Sequence, residues 1–142
     1  MTQEQKDLLL KDLSSRLLYG VKCQFEDTIE IIKDIWFCED DGWQVDGEKT
    51  STCIHAVKPY LFPLSSMTEE QKKEISKRYN LHTSYGLCIE ITNHSEGYWD
   101  NDNSCHLQDY LWLIDWFNRN HFDYRGLINK GLANDATNLN IY

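Results

Sequence analysis

The chain matches itself without gaps at an offset of 66 residues, and this self-match limits its fold more than any other feature. Met1-Thr2-Gln3-Glu4-Gln5-Lys6 returns as Met67-Thr68-Glu69-Glu70-Gln71-Lys72. In the same register Lys11 falls on Lys77, and Tyr19-Gly20-Val21 falls on Tyr85-Gly86-Leu87. Residues 1–25 align with 67–91 with eight identities. A fixed-offset repeat suggests one supersecondary unit used twice: capped helix, short connection, Tyr-Gly, strand. Convergence accounts for part of the match. In Thr-x-x-Gln the threonine hydroxyl accepts from the third backbone N–H of a helix, and the glutamine accepts from the N–H of the cap residue. Carboxylates in the first turn suit the positive end of the helix dipole. Capping explains the first six residues without ancestry. It does not explain why Tyr-Gly and a following apolar strand keep register behind an unconstrained helix.

The remaining pattern predicts an α+β domain in a single unit over 1–142. A first helix is expected over about 3–18, with Leu9, Leu10, Leu13, Leu17 and Leu18 on one side and Glu4, Asp12 and Arg16 off it. Gly20 ends it. Val21–Phe25, the β-branched stretch from Asp27 to Phe37, Trp43–Val45 and Thr50–Val57 read as strands. Ile29, Ile31 and Ile35 alternate with polar neighbours, as in a half-buried strand, and Asp46-Gly47 is a hairpin signal. Together they predict a small antiparallel meander, or partial barrel, over about 21–58. Lys58-Pro59-Tyr60-Leu61-Phe62-Pro63 is extended, because proline excludes helix there. A second helix is expected over about 69–79, a strand near 85–92, and a third helix over about 105–120, followed by an irregular tail.

Composition narrows the function classes. Apolar content of 41% with 13% aromatic residues describes a packed globule. No apolar run approaches the ~20 residues of a membrane span, and the first residues are an acidic helix start rather than a signal peptide. The expected location is cytoplasmic, where five scattered cysteines without a CxxC are small buried hydrophobes. A net charge of −9 disfavours direct nucleic-acid binding. The carboxylates are spread along the chain, which argues against imitation of nucleic acid.

Two stretches, Lys58-Pro59-Tyr60-Leu61-Phe62-Pro63 through Glu74 and Ile114-Asp115-Trp116-Phe117 through Ile128, carry distinctive strings. They resemble a family of small acidic proteins of gut Bacteroidales and their mobile elements, over about half of the chain. The resemblance implies an intracellular, mobile-element (phage-like) setting and carries over no catalytic residue. Members of that family tend to have arginine where this chain has Phe62, so no role for a charge transfers to that position.

Candidate sites cluster in the third helix and just beyond. On a helical wheel Leu107, Tyr110, Leu111, Leu113, Ile114 and Phe117 occupy one broad face. Trp112 and Trp116 fall opposite, beside Gln108, Asp109, Asp115 and Arg119, the make-up of a protein-binding hot spot. The competing reading, and the preferred one, is a helix buried on both sides with the indoles as core. Next comes His121-Phe122-Asp123-Tyr124-Arg125-Gly126, which is either an acid–base or anion-binding cluster or a purely structural one. In the preferred structural version His121 caps the third helix and Asp123 pairs with Arg125. Cys53-x-His55, Cys105-His106, His82 and His94 lack zinc-site spacing. Asp100-Asn101-Asp102-Asn103-Ser104 fails as a calcium loop, because its sixth position is Cys105 and its twelfth Leu111. No cofactor is expected.

The expectation is a non-catalytic acidic binding protein that engages a host protein and regulates or inhibits it. The alternatives are a small-molecule, nucleotide-like ligand held by Trp99, Trp112, Tyr124 and Arg125, and a metal-dependent or His121/Asp123 hydrolase.

Overall fold

The computed structural model describes residues 1–79 and 107–142, and these build an α+β fold. Helix α1 spans Gln3–Arg16 and opens with the anticipated capping box: Gln5 N donates to Thr2 Oγ1 at 3.2 Å and Thr2 N donates to Gln5 Oε1 at 2.8 Å. Helix α2 spans Glu69–Tyr79 and repeats that box atom for atom, with Gln71 N to Thr68 Oγ1 at 3.2 Å and Thr68 N to Gln71 Oε1 at 2.8 Å. Leu9 and Ile75, which the 66-residue offset superposes, are both buried. The two helix starts are thus one device used twice. The second Tyr-Gly and the strand expected near 85–92 lie outside the described residues.

α1 stops two residues earlier than expected, and the chain tightens into a 3₁₀ turn over Leu17–Tyr19 before Gly20 turns it left-handed at φ 66°. Three residues per turn instead of 3.6 shift the phase, so Leu18 leaves the apolar side and is 91% exposed.

The anticipated single meander over 21–58 is in fact two sheets. Strands β1 (Lys22–Phe25) and β2 (Thr28–Ile31) form a hairpin, while β3 (Asp34–Cys38), β4 (Gly42–Asp46) and β5 (Ser51–Cys53) form a separate antiparallel meander. The stretch read as one strand from Asp27 to Phe37 is broken between β2 and β3. There Ile32 N donates to Val21 O, just before β1, and Lys33 N to Asp46 O of the second sheet. A 3₁₀ turn over Ile54–Ala56 likewise divides the strand expected over Thr50–Val57, and the chain returns as β6 (Val57–Leu61) against β1. Parallel β7 (Asn134–Asp135) from the tail completes the order β2-β1-β6-β7. Neither sheet closes into a barrel.

The facing of β2 is the reverse of the expected one. Ile29 is 46% exposed and Glu30 is buried. Burial of this carboxylate is tolerated because donors surround it: Lys49 N at 2.7 Å, Thr50 N at 3.2 Å, Thr50 Oγ1 at 2.6 Å and Thr28 Oγ1 at 2.9 Å. Glu30 therefore pins the β4–β5 turn of the second sheet onto the first.

Helix α3 (Leu107–Arg119) lies against both α1 and α2 and divides the interior into two cores. One gathers Leu9 and Leu13 of α1 with Cys23, Phe25, Val45, Val57 and Leu61 from the sheets. The other gathers Ile75 of α2 with Leu113, Trp116, Phe117 and Phe122. Phe62 packs against the second core and, just past β6, ties it to the segment after α3: its N–H donates to His121 O at 2.9 Å and its carbonyl accepts from Asp123 N at 2.8 Å. Among the described residues no helix is long and apolar enough to cross a membrane.

Candidate binding surfaces

The end of α3 organises most of the candidate residues. Phe122 N donates to Phe117 O at 2.9 Å and His121 N to Asn118 O at 3.2 Å, the paired bonds of a Schellman motif. The position that this motif usually gives to glycine is occupied by His121, at φ 59°. It is the backbone of His121, not its ring, that caps the helix. The imidazole instead stacks on Tyr142, with ring centroids 4.0 Å apart. Burial, together with the nearby positive charges of Arg16 and Lys22, lowers its pKa to about 4. At neutral pH the ring is uncharged. Its Nδ1 is buried without a partner.

Asp123 does not pair with Arg125 as expected. Its carboxylate accepts from Leu127 N and Ile128 N, both at 2.8 Å, and so closes the turn that follows. Arg125 reaches Asp12 instead, with Nε 3.4 Å from Oδ1. Asp12 and Arg16, expected off the apolar side of α1, are both fully buried. Arg16 grips Asp12 with Nε at 2.7 Å and Nη2 at 3.0 Å, and Nη2 also donates to Phe122 O at 2.8 Å. The Tyr124 ring lies 5.4 Å from the Arg16 guanidinium and 4.9 Å from that of Arg125. Asp12, Arg16, Tyr124 and Arg125 thus form a cross-brace between α1 and the segment behind α3. Every charge in it is directed at another member of the brace or at a backbone carbonyl.

The two tryptophans of α3 do not present a shared outer face. Trp116 is buried, stacked on Phe122 at 5.6 Å, and Trp112 is partly buried against the same core. Leu111, assigned to the inner face, is 58% exposed. The helix is rotated because its apolar residues run most of the way round, and the bulkiest cluster wins the space between α1 and α2. Asp115 and Arg119 are exposed, the latter with its guanidinium 5.9 Å from the Tyr19 ring.

Among the described residues two features stand out as open to solvent. The first is a cleft of about 490 Å³ between the start of α2 and the end of α3, walled by Phe62, Phe122 and Tyr142 and edged by Gln71, Arg119 and His121. It is not the aromatic pocket expected from Trp99, Trp112, Tyr124 and Arg125, of which Trp99 lies outside the described residues. Nothing local in the sequence marks Tyr142, because only tertiary structure carries the tail back across β1 and β6. There its hydroxyl accepts from Lys22 N at 2.9 Å and donates to Tyr60 O at 2.8 Å.

The second is the tip of the β3–β4 hairpin. Trp36 is 42% exposed, Phe37 58% and Trp43 39%. Phe37 and Trp43 face each other across the hairpin, edge to face at 5.4 Å, on the same side of the sheet as core residue Val45. The Trp36 Nε1–H points to the Asp46 carboxylate at 3.1 Å. Glu39, Asp40 and Asp41 form the exposed turn between the two strands. The sequence signal was available: three aromatics bracketing an acidic turn.

Among the described residues no group of three metal-ligating side chains comes together, and His55 is exposed beside half-buried Cys53. His82, His94, Cys105, His106 and the Asp100–Ser104 run lie outside the described residues. No protein-family model, curated protein or solved structure matches the chain.

Proposed function

We propose that this chain is a non-catalytic acidic binding protein that engages a host protein through the β3–β4 hairpin and regulates or inhibits it. The mobile-element setting implied by the family resemblance agrees with such a role. The observation that carries the reading is the exposed edge-to-face pair Phe37 and Trp43 on one face of the hairpin, with Trp36 exposed on the opposite face. Exposed aromatics grouped beside polar groups are the usual composition of an interface hot spot. Among the described residues β3 is the outer strand of its sheet, with an edge that can take an added strand. The turn carboxylates Glu39, Asp40 and Asp41 and the net charge of −9 select a basic partner and repel a second copy of this chain. The partner element is an extended segment in which lysine or arginine alternates with apolar residues.

The test is to capture the partner with the tagged full chain, identify it, and measure its affinity for three forms of the protein. Phe37→Ala with Trp43→Ala lowers affinity about tenfold or more. Asp40→Lys with Asp41→Lys lowers it too, by an amount that shrinks as salt is raised. A partner that binds both variants like the unchanged protein, or a hairpin that pairs only with a second copy, overturns the proposal.

A further inference from the structure

The cleft between α2 and α3 has a chemistry of its own, independent of the hairpin. Its volume of about 490 Å³ lies within the range of small-ligand sites. Aromatic rings wall it: Phe62 stands 5.7 Å from Tyr142 and 6.1 Å from Phe122. The polar groups at its edge are mainly donors. Arg119 is an exposed cation, and Gln71 has committed its Oε1 to the Thr68 cap, which leaves its Nε2 hydrogens.

His121 supplies the observation that points to a ligand. The residue is only 8% exposed, and neither ring nitrogen makes a hydrogen bond, yet only Nδ1 is sealed from solvent. Nε2 is therefore the ring nitrogen open to solvent, and His121 is one of the residues that line the cleft. An N–H on sealed Nδ1 would be a buried donor without an acceptor, so the proton belongs on Nε2. The ring thus offers one unpartnered N–H to the cleft. A glycine at this left-handed position would relieve the backbone, so what the histidine contributes is its side chain.

From this geometry we infer that the cleft binds a small aromatic anion, its ring against Phe62 and Tyr142 and its carboxylate or phosphate on Arg119 and the His121 Nε2–H. Both anionic groups meet the same donors. A neutral aromatic would leave the Arg119 side unused, and a bare inorganic anion would leave the aromatic walls unused.

The experiment is titration of the full chain with 4-hydroxybenzoate and with adenosine monophosphate, followed by calorimetry and by the His121 and Tyr142 ring resonances. 4-Hydroxybenzyl alcohol, adenosine and inorganic phosphate serve as comparisons. At least one aromatic anion binds and shifts both rings, and its neutral counterpart binds about tenfold more weakly. Which of the two anions binds more tightly distinguishes a carboxylate from a phosphate ligand. Arg119→Gln, on the surface, costs about tenfold in affinity, and His121→Gly weakens binding while the α3 cap persists. Inorganic phosphate binding as well as the aromatic anions, binding unchanged in both variants, or ring resonances that never move would each overturn the inference.

Discussion

At the scale of single residues the strongest commitment in the molecule is Asp12. A fully buried carboxylate is tolerated only because Arg16 meets it with two donors while Arg125 approaches the same carboxylate from the other side. Removing one partner of a buried pair leaves the other charged and unsolvated. Asp12→Ala therefore lowers unfolding free energy by about 3–5 kcal/mol. Arg125→Ala, at a half-buried position and a longer distance, lowers it by about 1 kcal/mol. Urea denaturation of the two variants checks the ratio; equal losses would mean that Asp12 is held mainly by something other than Arg16. The i,i+4 spacing of Asp12 and Arg16 was visible in the sequence, but their burial was not. Periodicity assigns charged positions to solvent by default. The acceptors that make burial tolerable, Phe117 O and Phe122 O, come from the far end of the chain.

At the scale of elements, what was legible is what local chemistry decides. Both capping boxes, the left-handed stop at Gly20 and the extended Pro59 segment follow from neighbours in sequence. The division of the strands between two sheets does not, because it rests on a contact between β2 and the β4–β5 turn. Gly47 marks that contact. A Cβ there would lie 2.5 Å from Glu30 Oε2 and 3.1 Å from Phe25 Cζ. Glu30 cannot swing away without giving up its bonds to Lys49 and Thr50, and Phe25 is fully buried. Gly47→Ala is therefore an overpacking substitution that destabilises by about 1–3 kcal/mol, read as a lower melting temperature. Ala at Gly42, where a Cβ meets nothing within 4 Å, suffers only from the φ of 76° and is the control for backbone strain alone. The site suffered from the same blindness. A wheel can rank the faces of α3, but it cannot say which of two neighbouring helices fills the space: the burial of Trp116 follows the preferred reading of the indoles as core, whereas Leu111, on the wheel's inner face, is exposed.

At the scale of the whole molecule, acid should loosen the fold in two adjoining steps with different origins. The pKa of His121 falls from 6.5 to about 4 on folding, so between those values the unfolded chain binds a proton that the folded chain refuses. Stability is complete above 6.5 and declines as pH drops toward 4. The decline is about 2 kcal/mol once solvent access at Nε2 is allowed for. The pKa of Glu30 is lowered from 4.5 to about 2, chiefly by the Thr50 hydroxyl and then the Lys49 N–H. Its contribution is present above 4.5 and is lost as pH falls toward 2. One group resists gaining a charge and the other resists losing one, yet both make acid unfavourable, and their windows meet. Urea midpoints at about pH 7, 5 and 3 separate them. His121→Phe, which keeps an aromatic ring against Tyr142, flattens the upper window and leaves the lower one. Glu30→Gln lowers the midpoint at every pH and flattens the lower window, since the amide no longer titrates. Relief of the net charge of −9 acts in the opposite direction down to the isoelectric point near 4.9, and below it the growing positive charge acts in the same direction. Both charge effects are nearly common to all three proteins and largely cancel in the comparison. An upper window that persists in His121→Phe would show that another group carries it, and the ring would then not be the sequestered neutral donor on which the cleft depends.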